Sequence, residues 1–251
     1  MWSSITDILI PKSFEEALKY QEEVNSKLFG GGTYLVSAKD NKIHKLIDIN
    51  NLTDNTIEIN DHEIIIGAGV TVQKIVDGDN ELQRLSLIAK QSQFSKNIRN
   101  QRTLGGEIVQ KSIQSDLFTY LVAINPRLEI MNPTLQFVKM REWNGQGIIN
   151  KILINKMDVL SSGFERFSVI PSAPAFVMVA VVRRALELDF VVSGKTEKIF
   201  GHTMPLADFG KNTLKSIINE SVKYFTDDQY GTIEYKKSLI ATGIQRAVEQ
   251  I

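Results

Sequence analysis

Two glycine turns have the composition to hold a charged ligand: Gly30-Gly31-Gly32-Thr33 and Thr103-Leu104-Gly105-Gly106. Glycine admits positive φ and lets backbone N–H groups approach a ligand with no Cβ in the way. Successive free amides, or the helix N-terminus that follows them, can hold a phosphate or pyrophosphate without a nearby Lys or Arg. Neither turn is a GxGxxG fingerprint and neither carries the lysine of a P-loop. Taken singly, each is more simply explained as a tight strand-to-helix turn with no ligand. The rest of the chain offers little other chemistry. His44, His62 and His202 lie far apart in different expected elements, which argues against a metal site. No Ser-His-Asp or paired-carboxylate constellation stands out, so no residue is assigned a catalytic or metal-binding role. Cysteine is absent from all 251 residues, which excludes disulfides, thiolate nucleophiles and cysteine-held iron–sulfur or zinc centres on this chain.

Several elements must position those turns. Ser13 and Glu16 form a capping box after Pro11 and predict a helix over 14–25. The apolar pair Leu28-Phe29 then reads as a strand running into the first glycine turn, with helix at 35–39 and strand at 44–50 after it. Runs at 57–59 and 63–67 around Asn60-Asp61-His62 predict a hairpin. Helical pattern follows at 70–76 and 81–90, then a polar stretch over 92–102 leads to the second glycine turn. A helix at 116–124 and strands at 128–130 and 135–138 complete a second α/β part. Beyond residue 148 the pattern turns to strands at 152–154, 175–182 and 186–192, then to helices at 214–224 and 233–248. The division expected is 1–55, 56–155 and 156–251.

The bulk composition fits a soluble globular protein. Lys plus Arg and Asp plus Glu both number 29, so no overall field draws nucleic acid or an anionic membrane. No apolar run approaches the roughly 20 residues of a membrane span. Met1-Trp2-Ser3-Ser4 does not read as a secretory signal, and a cytoplasmic location is expected.

In order and spacing, five segments resemble the flavin subunits and domains of molybdenum hydroxylases of the xanthine dehydrogenase and carbon monoxide dehydrogenase type. They are Gly30-Gly31-Gly32-Thr33-Tyr34-Leu35, Leu46-Ile47-Asp48-Ile49, Ile66-Gly67-Ala68-Gly69-Val70-Thr71, the run from Ile98-Arg99-Asn100 through Thr103-Leu104-Gly105-Gly106-Glu107-Ile108, and Ser115-Asp116-Leu117. A fainter likeness continues through Phe164-Glu165-Arg166-Phe167 and Ile233-Glu234-Tyr235-Lys236. The resemblance implies an α+β, two-part FAD-binding fold of the vanillyl-alcohol oxidase (PCMH) type with a C-terminal β-sheet-plus-helices domain. It implies that amides from Gly31 to Leu35, spanning Gly32, Thr33 and Tyr34, cradle the FAD pyrophosphate, with the Thr33 hydroxyl added. Gly30 belongs to the same turn, and Thr103, Gly105 and Gly106 form the opposite wall. Lys27 and Leu28 lead to the adenosine side, Ser115 and Asp116 meet the ribityl and phosphate region, and Ile149 or Ile148 lies near the flavin ring.

The resemblance also implies non-covalent FAD here, a molybdenum-cofactor large subunit and an iron–sulfur small subunit as partners, and NAD as one possible acceptor. Glu107 departs from the family, standing where an Asn is usual. Its charge must turn away from the phosphates, bind a ribose hydroxyl, or shift the adenine end. Val169-Ile170-Pro171-Ser172-Ala173-Pro174 replaces a basic patch. These departures leave a scaffold that has lost FAD as one alternative, with a stand-alone flavin oxidase as another. Arg99 is either a phosphate or partner contact or an exposed loop residue. Asp48 ends a strand or meets a ribose, Arg183-Arg184 reads as a solvated strand end, and Trp2 and Trp143 as packing or interface anchors.

Overall fold

Ser13 accepts a hydrogen bond from Glu16 N at 3.2 Å and Glu16 accepts from Lys12 N at 2.6 Å, which starts helix α1 at Phe14–Gln21. The computed structural model describes residues 2–78 and 80–251. Helix α1 ends short of the expected residue 25, because Asn25 takes a left-handed φ of 64°. Ser26 then satisfies the carbonyls of Tyr20 and Glu23 at 2.8 and 2.7 Å, supplying partners for groups a helix end leaves open.

Two units compose the chain, one of Met1–Lys111 and Pro126–Leu153, the other of Ser112–Asn125 and Ile154–Ile251. The sequence predicts three parts, 1–55, 56–155 and 156–251, whereas the segment 112–125 joins the second of two units. In the first unit, β1 (Asp7–Leu9), β2 (Ser26–Phe29) and β3 (Lys45–Asp48) form a parallel sheet in the order β1-β3-β2. Ala17 of α1 packs there with Ile47, Ile148, Leu28 and Leu9. Helix α2 (Thr33–Ala38) connects β2 to β3. A five-stranded sheet follows the order β4-β5-β8-β6-β7, from β4 (Ile57–Ile59), β5 (Glu63–Gly67), β6 (Arg127–Asn132), β7 (Thr134–Lys139) and β8 (Ile148–Asn155). Between β5 and β6 run α3 (Val72–Val76), α4 (Gln83–Ser92), α5 (Lys96–Arg99) and α6 (Leu104–Gln110), and then α7 (Asp116–Ile124) of the second unit.

The second unit pairs β9 (Ser161–Phe167), β10 (Val177–Arg183), β11 (Glu187–Gly194) and β12 (Phe200–Pro205) in an antiparallel sheet, with α8 (Lys211–Val222) and α9 (Ile233–Glu249). Strand β10 reads as an unbroken apolar run because both its faces are covered. Val177, Val179 and Val181 share a core with Ile240, Ile244 and Ala247 of α9. On the other face, Phe164 opposite Ala180 meets Tyr120 of α7 edge-on at 6.2 Å, and Ser162 opposite Val182 is 2.9 Å from the Tyr120 hydroxyl. Strands β1, β9 and β12 were not expected. The first is three residues long, while β9 and β12 carry Ser, Gly, His or Pro in place of an alternating apolar pattern. Arg184, expected to be solvated, instead donates to Asp189 at 2.8 Å and to the carbonyls of Ala123 and Ile124, where a cation suits the end of α7. Among the described residues, no helix is long and apolar enough to cross a membrane.

Candidate functional site

Parallel strand β2 delivers the chain directly into the first glycine turn, and ligands of α/β sheets gather at such carboxyl ends of strands. Asp48, the last residue of β3, accepts from Asn50 Nδ2 at 2.8 Å, and the same amide group donates to Gly30 O at 3.3 Å. The strand-ending role expected of Asp48 therefore includes holding the turn. Gly32 has φ 68° and caps α2 without any side-chain bond. The first-turn N–H groups of Thr33, Tyr34 and Leu35 consequently have neither an intrahelical acceptor nor a cap. At Gly31 the backbone lies against the second turn so closely that a Cβ would come within 1.6 Å of Gln101 O. Composition alone did not reveal this close approach.

A cleft of about 360 Å³ opens there, built wholly from the first unit; small-molecule sites commonly span roughly 300–1,000 Å³. Its lining includes the expected residues Lys27, Leu28, Gly30, Gly31, Gly32, Thr33, Tyr34, Leu35, Thr103, Gly105, Gly106 and Ile149. The two turns do different work. Leu104 N donates to Val70 O, Gly105 N to Ala68 O, both at 2.9 Å, and Gly106 N to Thr103 Oγ1 at 3.2 Å. The amides of the second turn are thus already engaged, leaving it as a wall that holds the segment Ala68-Gly69 against the cleft.

Three residues expected at the cofactor are not on the cleft lining. Glu107 does not line the cleft and does not point outward; it is wholly buried and ion-paired with Arg102. Ser115 caps α7 by accepting from Phe118 N at 3.2 Å, and Asp116 accepts from Arg166 Nε at 2.8 Å, both within the second unit and neither on the lining. Arg166 also reaches the carbonyls of Pro171 and Ala173 at 2.9 and 2.7 Å, which secures the segment standing in place of the basic patch. Arg99 fits neither expected role. It is buried, donating to Gln73 Oε1 and to the carbonyls of Gln93 and Phe94 at 2.7–2.8 Å.

Sequence reasoning missed Arg102, Asn50, Thr53, Trp143, Gly145 and Gly147 on the lining. The signal for the last two was the Trp-Asn-Gly-Gln-Gly turn before β8, whose glycines have φ of 94° and 83°. Trp143 packs as expected, with Nε1 donating to Gln146 O at 2.8 Å, but it also borders the cleft. Trp2 Nε1 donates to Asp40 O at 3.3 Å. Among the described residues, no group of three or more His, Cys, Asp and Glu side chains is placed to hold a metal ion.

Residues 4–146 match the family model described as "FAD binding domain in molybdopterin dehydrogenase". No curated protein matches the chain in sequence. The fold is similar to a chain of carbon monoxide dehydrogenase from Hydrogenophaga pseudoflava, with a TM-score of 0.79 at 18% identity over 98% of this chain and 96% of that one. It is also similar to a chain of quinoline 2-oxidoreductase from Pseudomonas putida 86, at 0.76 and 14% over 98% and 95%. For carbon monoxide dehydrogenase from Oligotropha carboxidovorans the values are 0.75 and 16% over 97% and 96%. With both glycine turns of its cleft inside the matched segment and its α+β fold alike over nearly the whole length, this chain belongs to the family of FAD-binding domains of molybdopterin dehydrogenases.

Proposed function

We propose that the chain binds one FAD non-covalently and serves as the electron-transfer subunit of a multi-subunit molybdenum hydroxylase. The observation that carries this reading is the uncapped start of α2 at Gly32, opening on a cleft whose opposite wall is the segment from Arg102 to Gly106. Amides without acceptors together with a guanidinium suit a diphosphate. The Thr33 hydroxyl adds a donor, and Leu28, Ala68, Ile148 and Ile149 give the lining an apolar side suited to a ring system. When bound, flavin supplies the electron chemistry. The chain's part is to bind and orient it, with no Cys available as a covalent tether.

The iron–sulfur clusters that feed the flavin then belong to a small partner subunit and the molybdenum cofactor to a large one, with NAD⁺ or another acceptor taking the electrons onward. The finer assignment, to a purine or xanthine dehydrogenase-type complex, rests on the sequence resemblance. The solved structures of similar fold carry the names of carbon monoxide and quinoline enzymes, which supports the hydroxylase class and a substrate chosen on the large subunit. The scaffold alternative drew on Glu107, whose charge Arg102 neutralises. Mixing a heterocyclic or carbon monoxide substrate with the chain, alone and then with its partner subunits, tests the relay. Turnover only in the complex, with bleaching of the flavin spectrum, is expected; turnover by the chain alone would contradict it.

A further inference from the structure

Two arginines lie three residues apart, Arg99 at the end of α5 and Arg102 just before the second glycine turn, and they are used in opposite ways. Arg99 spends its guanidinium on Gln73 and two backbone carbonyls. Arg102 has its backbone fixed, N to Ile98 O and O from Val72 N, each at 2.8 Å. Its side chain makes one ion pair, through Nη2 to Glu107. Its Nε and Nη1 find no acceptor among the described residues. Arg102 lines the cleft while Glu107 does not, and the two side chains are 16% and 0% exposed. The positive member of the pair is therefore on the cleft lining and the negative member is not.

The neighbours of Arg102 place its segment against the first glycine turn. Gln101 O and Thr103 N are the atoms a Cβ on Gly31 would strike, and Thr103 Oγ1 is the nearest atom to one on Gly30. Arg102 is thus carried by the segment that abuts the turn whose amides are open. Among the described residues, Lys27 is the other cationic residue on the lining, and no carboxylate is on it.

We infer that Arg102 contacts the diphosphate of the bound dinucleotide and that Glu107 is the positioning residue that holds it there. This rests on the FAD reading of the cleft. A buried carboxylate requires partners, and here one of them is a long side chain that would otherwise sample many rotamers. Fixing it in advance removes an ordering cost from binding, and the planar guanidinium keeps N–H groups for phosphate oxygens. Glu107 on the first turn of α6 is also favourably placed at the positive end of that helix.

The test is FAD affinity of the full chain as a function of salt for the parent, Arg102→Gln, Arg102→Lys, Glu107→Gln and the Arg102→Gln/Glu107→Gln double variant, each checked for folding by near-UV circular dichroism. Arg102→Gln should weaken FAD about 10- to 100-fold, the scale of a charge-assisted hydrogen bond, and should flatten the salt dependence. Arg102→Lys should recover part of both. Glu107→Gln alone should weaken binding, and the double variant should bind no worse than Arg102→Gln, because Glu107 acts through Arg102. The double variant leaves no buried charge unpaired, so it carries the test even where Glu107→Gln alone folds poorly. Unchanged affinity in Arg102→Gln, weakened affinity with the parent's salt dependence, or additive losses in the double variant would overturn the inference while FAD binding by the parent stands. A parent that takes up no FAD would overturn the function reading and the inference with it.

Discussion

A Cβ at Gly31 would come within 1.6 Å of the Gln101 carbonyl oxygen, whereas at Gly30 the nearest atom, Thr103 Oγ1, is 3.5 Å away. Adjacent residues of one type therefore differ in what they tolerate. Gly31→Ala should destabilise the fold by about 1–3 kcal/mol or more, the cost of forcing an atom into packed structure, and should disturb the cleft with it. Gly30→Ala should stay within about 1 kcal/mol of the parent. Urea midpoints of the two variants check this, and equal midpoints would mean that the turns do not meet as described. The glycines were legible in the sequence because their composition announces a turn. The pairing of Arg102 with Glu107, the burial of Arg99 and the cap formed by Ser115 were not, because each depends on which segment packs alongside and not on local pattern.

Helix α9 begins over a buried cation. Lys236 is fully buried and reaches Asp228 at 2.7 Å and Thr226 O at 2.6 Å. Burial works against ionisation of Asp228, but the hydrogen bond from the Lys236 ammonium, the Tyr230 N–H, and the charges of Lys236 and Lys195 outweigh it and hold its carboxyl below the ordinary 3.8. The unfolded chain then binds the proton more readily, so the stability Asp228 contributes is complete above that ordinary value and is lost as pH falls through the depressed one. Asp228→Asn should cost about 1–3 kcal/mol at neutral pH. The gap between parent and variant in denaturant midpoint should close in acid below the ordinary value. A gap that persists unchanged there would remove the ion pair as its cause. Sequence periodicity located α7, α8, α9 and the strands β10 and β11, where one or both faces are apolar over several turns or residues. It overran α1, which Asn25 and Ser26 end by backbone conformation and carbonyl capture, and it passed over the single turn of α5 and the polar edge strand β12.

Across the whole molecule, the chain places its cleft in one unit and its longest apolar strand in the other, a division that consecutive segments of sequence could not give because 112–125 crosses between them. The family resemblance carried the class of ligand, and the structure adds which of the two glycine turns has amides to offer it. The central claim is that this cleft takes up one FAD. It is tested most directly by titrating the flavin-free chain with FAD, following flavin fluorescence, with Gly30→Val as the variant that narrows the cleft beside Thr103, and then precipitating the complex in acid. Saturation at one FAD per chain, weaker uptake by folded Gly30→Val, and release of all the flavin into the acid supernatant are the expected results. A folded parent chain that takes up no FAD, or one that retains flavin in the acid pellet, would contradict it.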